Sequence, residues 1–210
     1  MSKKILACGI TVPLLLVVSG CGVIGGGVKT EAKSKQVQKP QPFDLKAAVG
    51  KPTPAFSLKD ADGQVVRPAD YKGKVVLLDF WATWCGPCKL EIPWFMEFER
   101  QFKDQGFAVV GVSMDEDGWA AIKPYAQNMK MNYRILLGND DVSTAYGGLD
   151  ALPTTLLIDR QGRIASVHEG VTMGKEDFKN AIVELLHAPR ASASVVPNRA
   201  LAWLSGPNGR

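Results

Sequence analysis

The stretch DFWATWCGPC, residues 79–88, decides the reading of this chain. Upstream, Lys74 to Trp81 (KVVLLDFW) is a continuous apolar run with β-branched and aromatic residues. Such a run predicts a central strand buried on both faces. Downstream, Phe95, Phe98 and Phe102 recur at helical spacing. They predict a helix from about Gly86 to Lys103 whose apolar stripe joins the core, with a kink at Pro93. Two cysteines, Cys85 and Cys88, stand at the junction of strand and helix.

Outward from this junction the pattern alternates. Phe107 to Met114 (FAVVGVSM) predicts a second buried strand, and Trp119 to Met131 a helix interrupted near Pro124. Tyr133 to Leu137 reads as a short strand and Asp141 to Tyr146 as a turn or two of helix. Thr154 to Ile158 and Arg163 to His168 flank the turn Asp159–Gly162 as an antiparallel hairpin. Lys175 to Leu186 closes as an amphipathic helix with Phe178, Ile182, Leu185 and Leu186 on one side. Before the central strand, Ala55 to Leu58 and Gln64 to Val66 flank Asp60–Gly63 as a first hairpin, with structure beginning near Ala47. The order implies an α/β sandwich with a few antiparallel strands.

The chain has 210 residues, which suits one domain plus extra segments, and its 46% hydrophobic content suffices for a core. The net charge of +4 is mild and the basic residues form no block, so no nucleic-acid partner is expected. Among four cysteines, Cys8 and Cys21 lie near the N-terminus. There MSKK supplies a positive start, Ile5 to Val18 a mostly apolar run, and Ser19-Gly20-Cys21 small residues. This is the layout of a secretory signal, and the run is short for a spanning helix. Val18-Ser19-Gly20-Cys21 resembles a bacterial lipoprotein box, in which the cysteine is lipidated and becomes the first mature residue. On that resemblance residues 1–20 are a signal peptide, Cys21 carries lipid, and the mature domain keeps only Cys85 and Cys88 as thiols. Residues 21–45, rich in Gly, Lys, Gln and Pro, read as a flexible tether, and residues 188–210 as a loose tail.

Several chemistries compete for the cysteine pair. A structural zinc site needs four ligands, and His168 and His187, the two histidines, match no zinc spacing. A c-type haem site needs histidine after the second cysteine, where Lys89 stands. An inert disulfide with so small a loop gains little from chain entropy. Redox exchange suits the layout. A helix start favours a thiolate, and the second cysteine, one turn on, can resolve a mixed disulfide. Cys85 is expected to be exposed and to attack first, with Cys88 more buried. Pro87 fixes φ near the helix start.

DFWATWCGPC resembles a thioredoxin active site, and the resemblance extends over about residues 47–187. Leu152-Pro153-Thr154-Thr155 falls where thioredoxin-like proteins carry a cis-proline loop, which packs beside the cysteines and binds peptide backbone. The export signal, an insert before Pro153 and CKLEIP (residues 88–93) are similar to TlpA/ResA-like thiol–disulfide oxidoreductases. The resemblance implies a thioredoxin-like α/β fold, residues 46–187, with an N-terminal β-hairpin and a central insert. It also implies a substrate surface of Trp84, Gly86, Pro87, Leu152 and Pro153, and no cofactor or metal beyond the Cys85–Cys88 disulfide.

Two carboxyls then need roles. Asp79 lies in an apolar strand, where burial raises its pKa and lets it accept a proton from Cys88. Glu91, one helical turn after Cys88, tunes the cysteines by family resemblance. Thioredoxin carries a lysine on the neighbouring strand, and the expected register puts Gly111 there. The direction of electron flow matters, because the thioredoxin pair near −270 mV and a strong oxidant near −120 mV differ by about 7 kcal/mol. The Gly-Pro dipeptide resembles the reducing end, and an exported thiol needs a supply of electrons to stay reduced. The expected protein is a monomeric, lipid-anchored, extracytoplasmic reductase. Its partners are exported cysteine-containing proteins, apocytochrome c among the candidates, and a membrane electron donor of the thiol-carrier type. The rival readings are a peroxiredoxin-like peroxidase, whose P-x-x-x-T-x-x-C pattern Thr83 does not fit, and a non-catalytic peptide clamp.

Overall fold

The computed structural model describes residues 43–189. The signal segment 1–20, the lipidation site Cys21, the tether as far as residue 42 and the tail from residue 190 lie outside the described residues.

The chain forms strands β1 (Leu58–Asp60), β2 (Val65–Val66) and β3 (Val75–Trp81), helix α1 (Cys88–Phe102) and strand β4 (Phe107–Ser113). Helix α2 (Trp119–Met129), strand β5 (Arg134–Leu137) and helix α3 (Asp140–Ala145) come next. Strands β6 (Thr154–Ile158) and β7 (Ile164–Glu169) and helix α4 (Lys175–His187) complete the order. The strands make one sheet in the order β2-β1-β5-β4-β3-β6-β7. β3 pairs parallel with β4 and antiparallel with β6. All seven residues of β3 and all seven of β4 are buried, as their unbroken apolar runs predict.

Alternate residues of a strand point to opposite faces, so β3 serves two cores. Val75 and Leu77 pack with Phe95, Phe98 and Phe102 of α1 and with Phe178 and Ile182 of α4. Val76, Leu78 and Phe80 pack on the other face with Leu45, Ala48, Val142 and Tyr146. By the same alternation Asp79 and Trp81 share the α1 face. The segment between β4 and Pro153, where the insert is expected, supplies α2, β5 and α3.

Three local expectations change. Helix α2 runs uninterrupted through Pro124, whereas Pro93 lies inside α1 as expected. Both prolines are solvent-exposed, so each removes one helical hydrogen bond at a place where water can satisfy the freed carbonyl. The packed chain reaches further toward the N-terminus than composition implies. Phe43 lies edge-on to Tyr146 at 6.3 Å between centroids, and Leu45 is buried. Helix α1 begins at Cys88, not Gly86, which leaves Cys85 in the preceding turn.

Phe95 is fully buried between Phe98 and Phe178, whose ring centroids lie 6.4 and 5.6 Å away. Replacing Phe95 by alanine is expected to destabilise the domain by about 3–5 kcal/mol, read as a lower urea midpoint at unchanged slope.

Candidate active site

β3 ends at Trp81, at the C-terminal end of the central strands, and the chain turns through Ala82, Thr83 and Trp84 before α1 begins. The Cys85 N–H donates to the Ala82 carbonyl at 3.1 Å and closes this turn. Cys85 and Cys88 are joined as a disulfide with their Cα atoms 5.4 Å apart. The Cys88 N–H, the first of helix α1, donates to Cys85 Sγ at 3.2 Å. A helix N-terminus therefore faces the sulfur that must become a thiolate.

Cys85 is not exposed. It is 4% accessible against 1% for Cys88, so in the disulfide form the two differ little. The exposed parts of the motif are Trp84, Gly86 and Pro87, with Trp84 at 68%. The cysteines pack with Trp81, Ala82 and Ile92, and Leu152, Tyr125 and Met129 close around them. The Leu152–Pro153 bond is cis. Leu152 packs against the cluster that holds the cysteines from a loop far away in sequence, and Pro153, next to it in the chain, is buried.

The AhpC/TSA family matches residues 49–167, more than half of the chain. The thiol–disulfide oxidoreductase ResA of Geobacillus thermodenitrificans is 38% identical over 133 residues, which cover 63% of this chain and 75% of that one. A crystal structure of a thiol:disulfide interchange protein DsbE from Chlorobium tepidum superposes with a TM-score of 0.61 at 32% identity, over 66% of this chain and 97% of that one. The pneumococcal exposed lipoprotein thioredoxin of Streptococcus pneumoniae superposes with a TM-score of 0.54 at 28% identity, over 62% and 99% of the two chains.

The chain belongs to the AhpC/TSA family. Within that family it has the thioredoxin-like fold, and it is a thiol–disulfide oxidoreductase.

Two acids of the site, Asp79 and Glu91, are buried. Asp79 is 1% exposed and receives one hydrogen bond, from the Thr155 hydroxyl at 3.2 Å. Desolvation, then the neighbouring Glu91, pushes its pKa well above the usual carboxylate range. Glu91 is also 1% exposed, and neither carboxyl oxygen has a protein hydrogen-bond partner. Burial pushes its pKa up to about 7. Gly111 does stand opposite Asp79 in the β3–β4 register. A Cβ there would come 2.9 Å from Trp81 Nε1 and 3.1 Å from Tyr133 Cε2. The place that the thioredoxin lysine would leave from is thus closed by two aromatic rings. Trp81 Nε1 and the Tyr133 hydroxyl are likewise buried without a protein partner. Desolvation, then Asp79, pushes the Tyr133 pKa well up.

Cys85 and Cys88 thus share a cluster with Trp81, Ala82 and Ile92 against which Leu152 packs, Asp79 and Glu91 influence one another, Trp84, Gly86 and Pro87 stand exposed, and Pro153 is buried next to Leu152 in the chain. Sequence reasoning missed Tyr133, which periodicity reads as the first residue of a strand. It also missed Asp115, just beyond the C-terminal end of β4, a position where α/β sheets gather functional groups.

Glu91 gives a direct test. Its folded pKa of about 7 exceeds its ordinary value of 4.5, so the folded chain holds the proton more tightly. The resulting stability is fully present below about pH 4.5 and is lost as pH rises through about 7. That shift corresponds to about 3 kcal/mol. Glu91→Gln is expected to remove this part of the decline, seen by comparing urea midpoints of the two proteins at pH 4.5 and pH 8. Asp79, shifted in the same sense, keeps a residual slope of the same sign in the variant.

Proposed function

We propose that this oxidoreductase works as a reductase of exported cysteine-containing proteins from a lipid tether at Cys21. The observation that carries the reading is the Cys85–Cys88 disulfide at the start of α1 beside two buried carboxyls. In the reduced protein the Cys85 thiolate attacks a substrate disulfide. A Cys85–substrate disulfide forms, and the first substrate sulfur leaves as a thiolate. Cys88 gives its proton to Asp79 and attacks Cys85 Sγ. The Cys85–Cys88 disulfide forms, the second substrate thiolate leaves, and two electrons have passed to the substrate. Glu91 adjusts the proton affinity of the site from the facing helix.

The Trp84, Gly86 and Pro87 surface, with Leu152 and Pro153 beside it, receives the substrate backbone. Electrons return from a membrane donor of the thiol-carrier type, because an oxidising compartment does not regenerate a dithiol. Apocytochrome c is the substrate candidate drawn from the TlpA/ResA resemblance. The extracytoplasmic location and the anchor rest on the lipoprotein-like box at Val18–Cys21, and the likeness to an exposed lipoprotein thioredoxin supports them. Among the described residues no helix is long and apolar enough to cross a membrane. The peroxidase reading has only the shared family name in its favour.

The reduction potential of Cys85–Cys88, measured by equilibration with a thiol buffer, is expected below about −230 mV. A value above about −180 mV would make the protein an oxidant or isomerase and overturn the reductase reading. Cys88→Ser is expected to accumulate mixed disulfides on Cys85 when offered exported proteins, and Cys85→Ser none. A peptide clamp would yield no mixed disulfide with either.

A further inference from the structure

Strand β4 keeps serving the active site beyond its last paired residue. β3 and β4 pair in register up to Trp81 and Ser113, and the Met114 N–H still donates to the Trp81 carbonyl at 2.8 Å. One residue further the ladder changes character. The Thr83 N–H donates to the Asp115 carboxyl, 3.0 Å from Oδ2 and 3.2 Å from Oδ1. The Thr83 hydroxyl donates to Asp115 Oδ1. The Ser113 hydroxyl donates to Oδ2 at 2.6 Å, and the Asp115 N–H points back to Ser113 Oγ at 3.2 Å. Asp115 is 6% exposed, so these bonds largely replace water around its carboxyl. A side chain stands where a strand carbonyl would continue the ladder. It lets β3 leave the sheet while the Thr83 N–H stays bonded.

The turn beyond Thr83 depends on that hold. Trp84 is 68% exposed, whereas its neighbour Cys85 is only 4% exposed. The chain therefore reverses its facing within two residues, inside the turn that the Cys85 N–H closes on Ala82. Asp115 also raises the pKa of Tyr125, after the larger effect of burial. Tyr125 in turn packs on Trp81 at 5.5 Å and lies under the Lys89 ammonium at 5.9 Å. Asp115 thus belongs to the wall of the redox site without being one of its reacting groups.

We propose that Asp115 is a positioning residue: by holding Thr83 it fixes the turn that presents Trp84 and Cys85, and so sets how fast Cys85 exchanges with an incoming disulfide. The inference rests on the dithiol–disulfide reading of Cys85 and Cys88, but not on the direction of electron flow or the identity of the substrate.

The test uses reduced full-length protein and a small aromatic disulfide, 5,5′-dithiobis(2-nitrobenzoate), whose cleavage releases a coloured thiolate. Asp115→Ala removes every bond to Thr83 and is expected to slow exchange about tenfold to a hundredfold, the cost of a misplaced reacting atom. Asp115→Asn keeps an acceptor for the Thr83 N–H and is expected within about fivefold of the wild type, a tolerance set by hydrogen bonds of about 1 kcal/mol. The pH midpoint of Cys85 alkylation by iodoacetamide, read well below every variant's Tm, is expected to move in Asp115→Ala and to stay near wild type in Asp115→Asn. A merely structural role would lower Tm without moving that midpoint.

Asp115→Ala exchanging at the wild-type rate overturns the proposal. So does an equal loss in Asp115→Ala and Asp115→Asn, which would assign the effect to charge. Should Asp115→Ala fail to fold, Thr83→Val and Thr83→Ser carry the test. Serine, which keeps the hydroxyl, is expected near wild type, and valine slower; equal rates overturn the proposal. The wild type's own reduction of protein disulfides is followed in parallel. If it has none while the variant contrast holds, the proposed function fails and this inference stands. If it is active and the contrast is missing, the inference alone falls.

Discussion

Strand β3 is covered on both faces and flanked on both edges, and this constraint governs the rest of the molecule. A residue on such a strand has no route to water. For Val75, Leu77 or Phe80 that is a source of stability, but for Asp79 it is a cost. One hydroxyl, that of Thr155 on the adjacent β6, partly offsets it. Glu91, entering from α1 with no partner of its own, deepens it. Two carboxyls in one apolar space resist ionising together, and both hold their protons above the usual carboxylate range.

The two faces of the sheet divide the labour. On one, Leu45, Ala48, Val142 and Tyr146 pack on the even-numbered residues of β3 and hold the sheet from behind. On the other, α1 supplies a phenylalanine ladder at one end and Cys88 with Glu91 at the other. The same helix is therefore anchor and active-site element. Its N-terminus is fixed because its C-terminal half is locked among Phe95, Phe98, Phe102, Phe107 and Phe178. The insert completes the wall: α2 brings Tyr125 and Met129, and the chain entering β5 brings Tyr133. Where the thioredoxin resemblance leads one to look for a lysine, Gly111 lets Trp81 and Tyr133 come together instead. Aromatic surface thus stands beside the acids, and among the described residues no ion pair reaches either of them.

Reactivity in this arrangement comes from the junction of elements more than from any one of them. Cys85 lies in a turn, Cys88 on a helix, Leu152 and Pro153 in a loop between α3 and β6, and Asp115 past the end of β4. Each is carried by a different segment. The sheet brings them together because parallel β3 and β4 end at the same level, with the crossover loops gathered there.

Much of this was legible in the residues. Unbroken apolar runs marked β3 and β4, helical spacing marked α1 and α4, and the expected register that sets Gly111 opposite Asp79 is the one the sheet has. The cysteine pair announced its chemistry because its spacing and its place between strand and helix are local properties. The tertiary structure alone decided what depends on distant segments. Pro124 does not break α2, because an exposed proline frees a carbonyl that water can reach. Phe43 and Leu45 pack, because Val142 of α3 and Tyr146 just after it meet them. Cys85 is buried, because Leu152 and Trp81 close around it. Asp115 reaches Thr83 across 32 residues of chain. Periodicity reports the surroundings of a residue averaged along its own element, whereas a hydrogen bond between two loops exists only once the sheet has set them side by side.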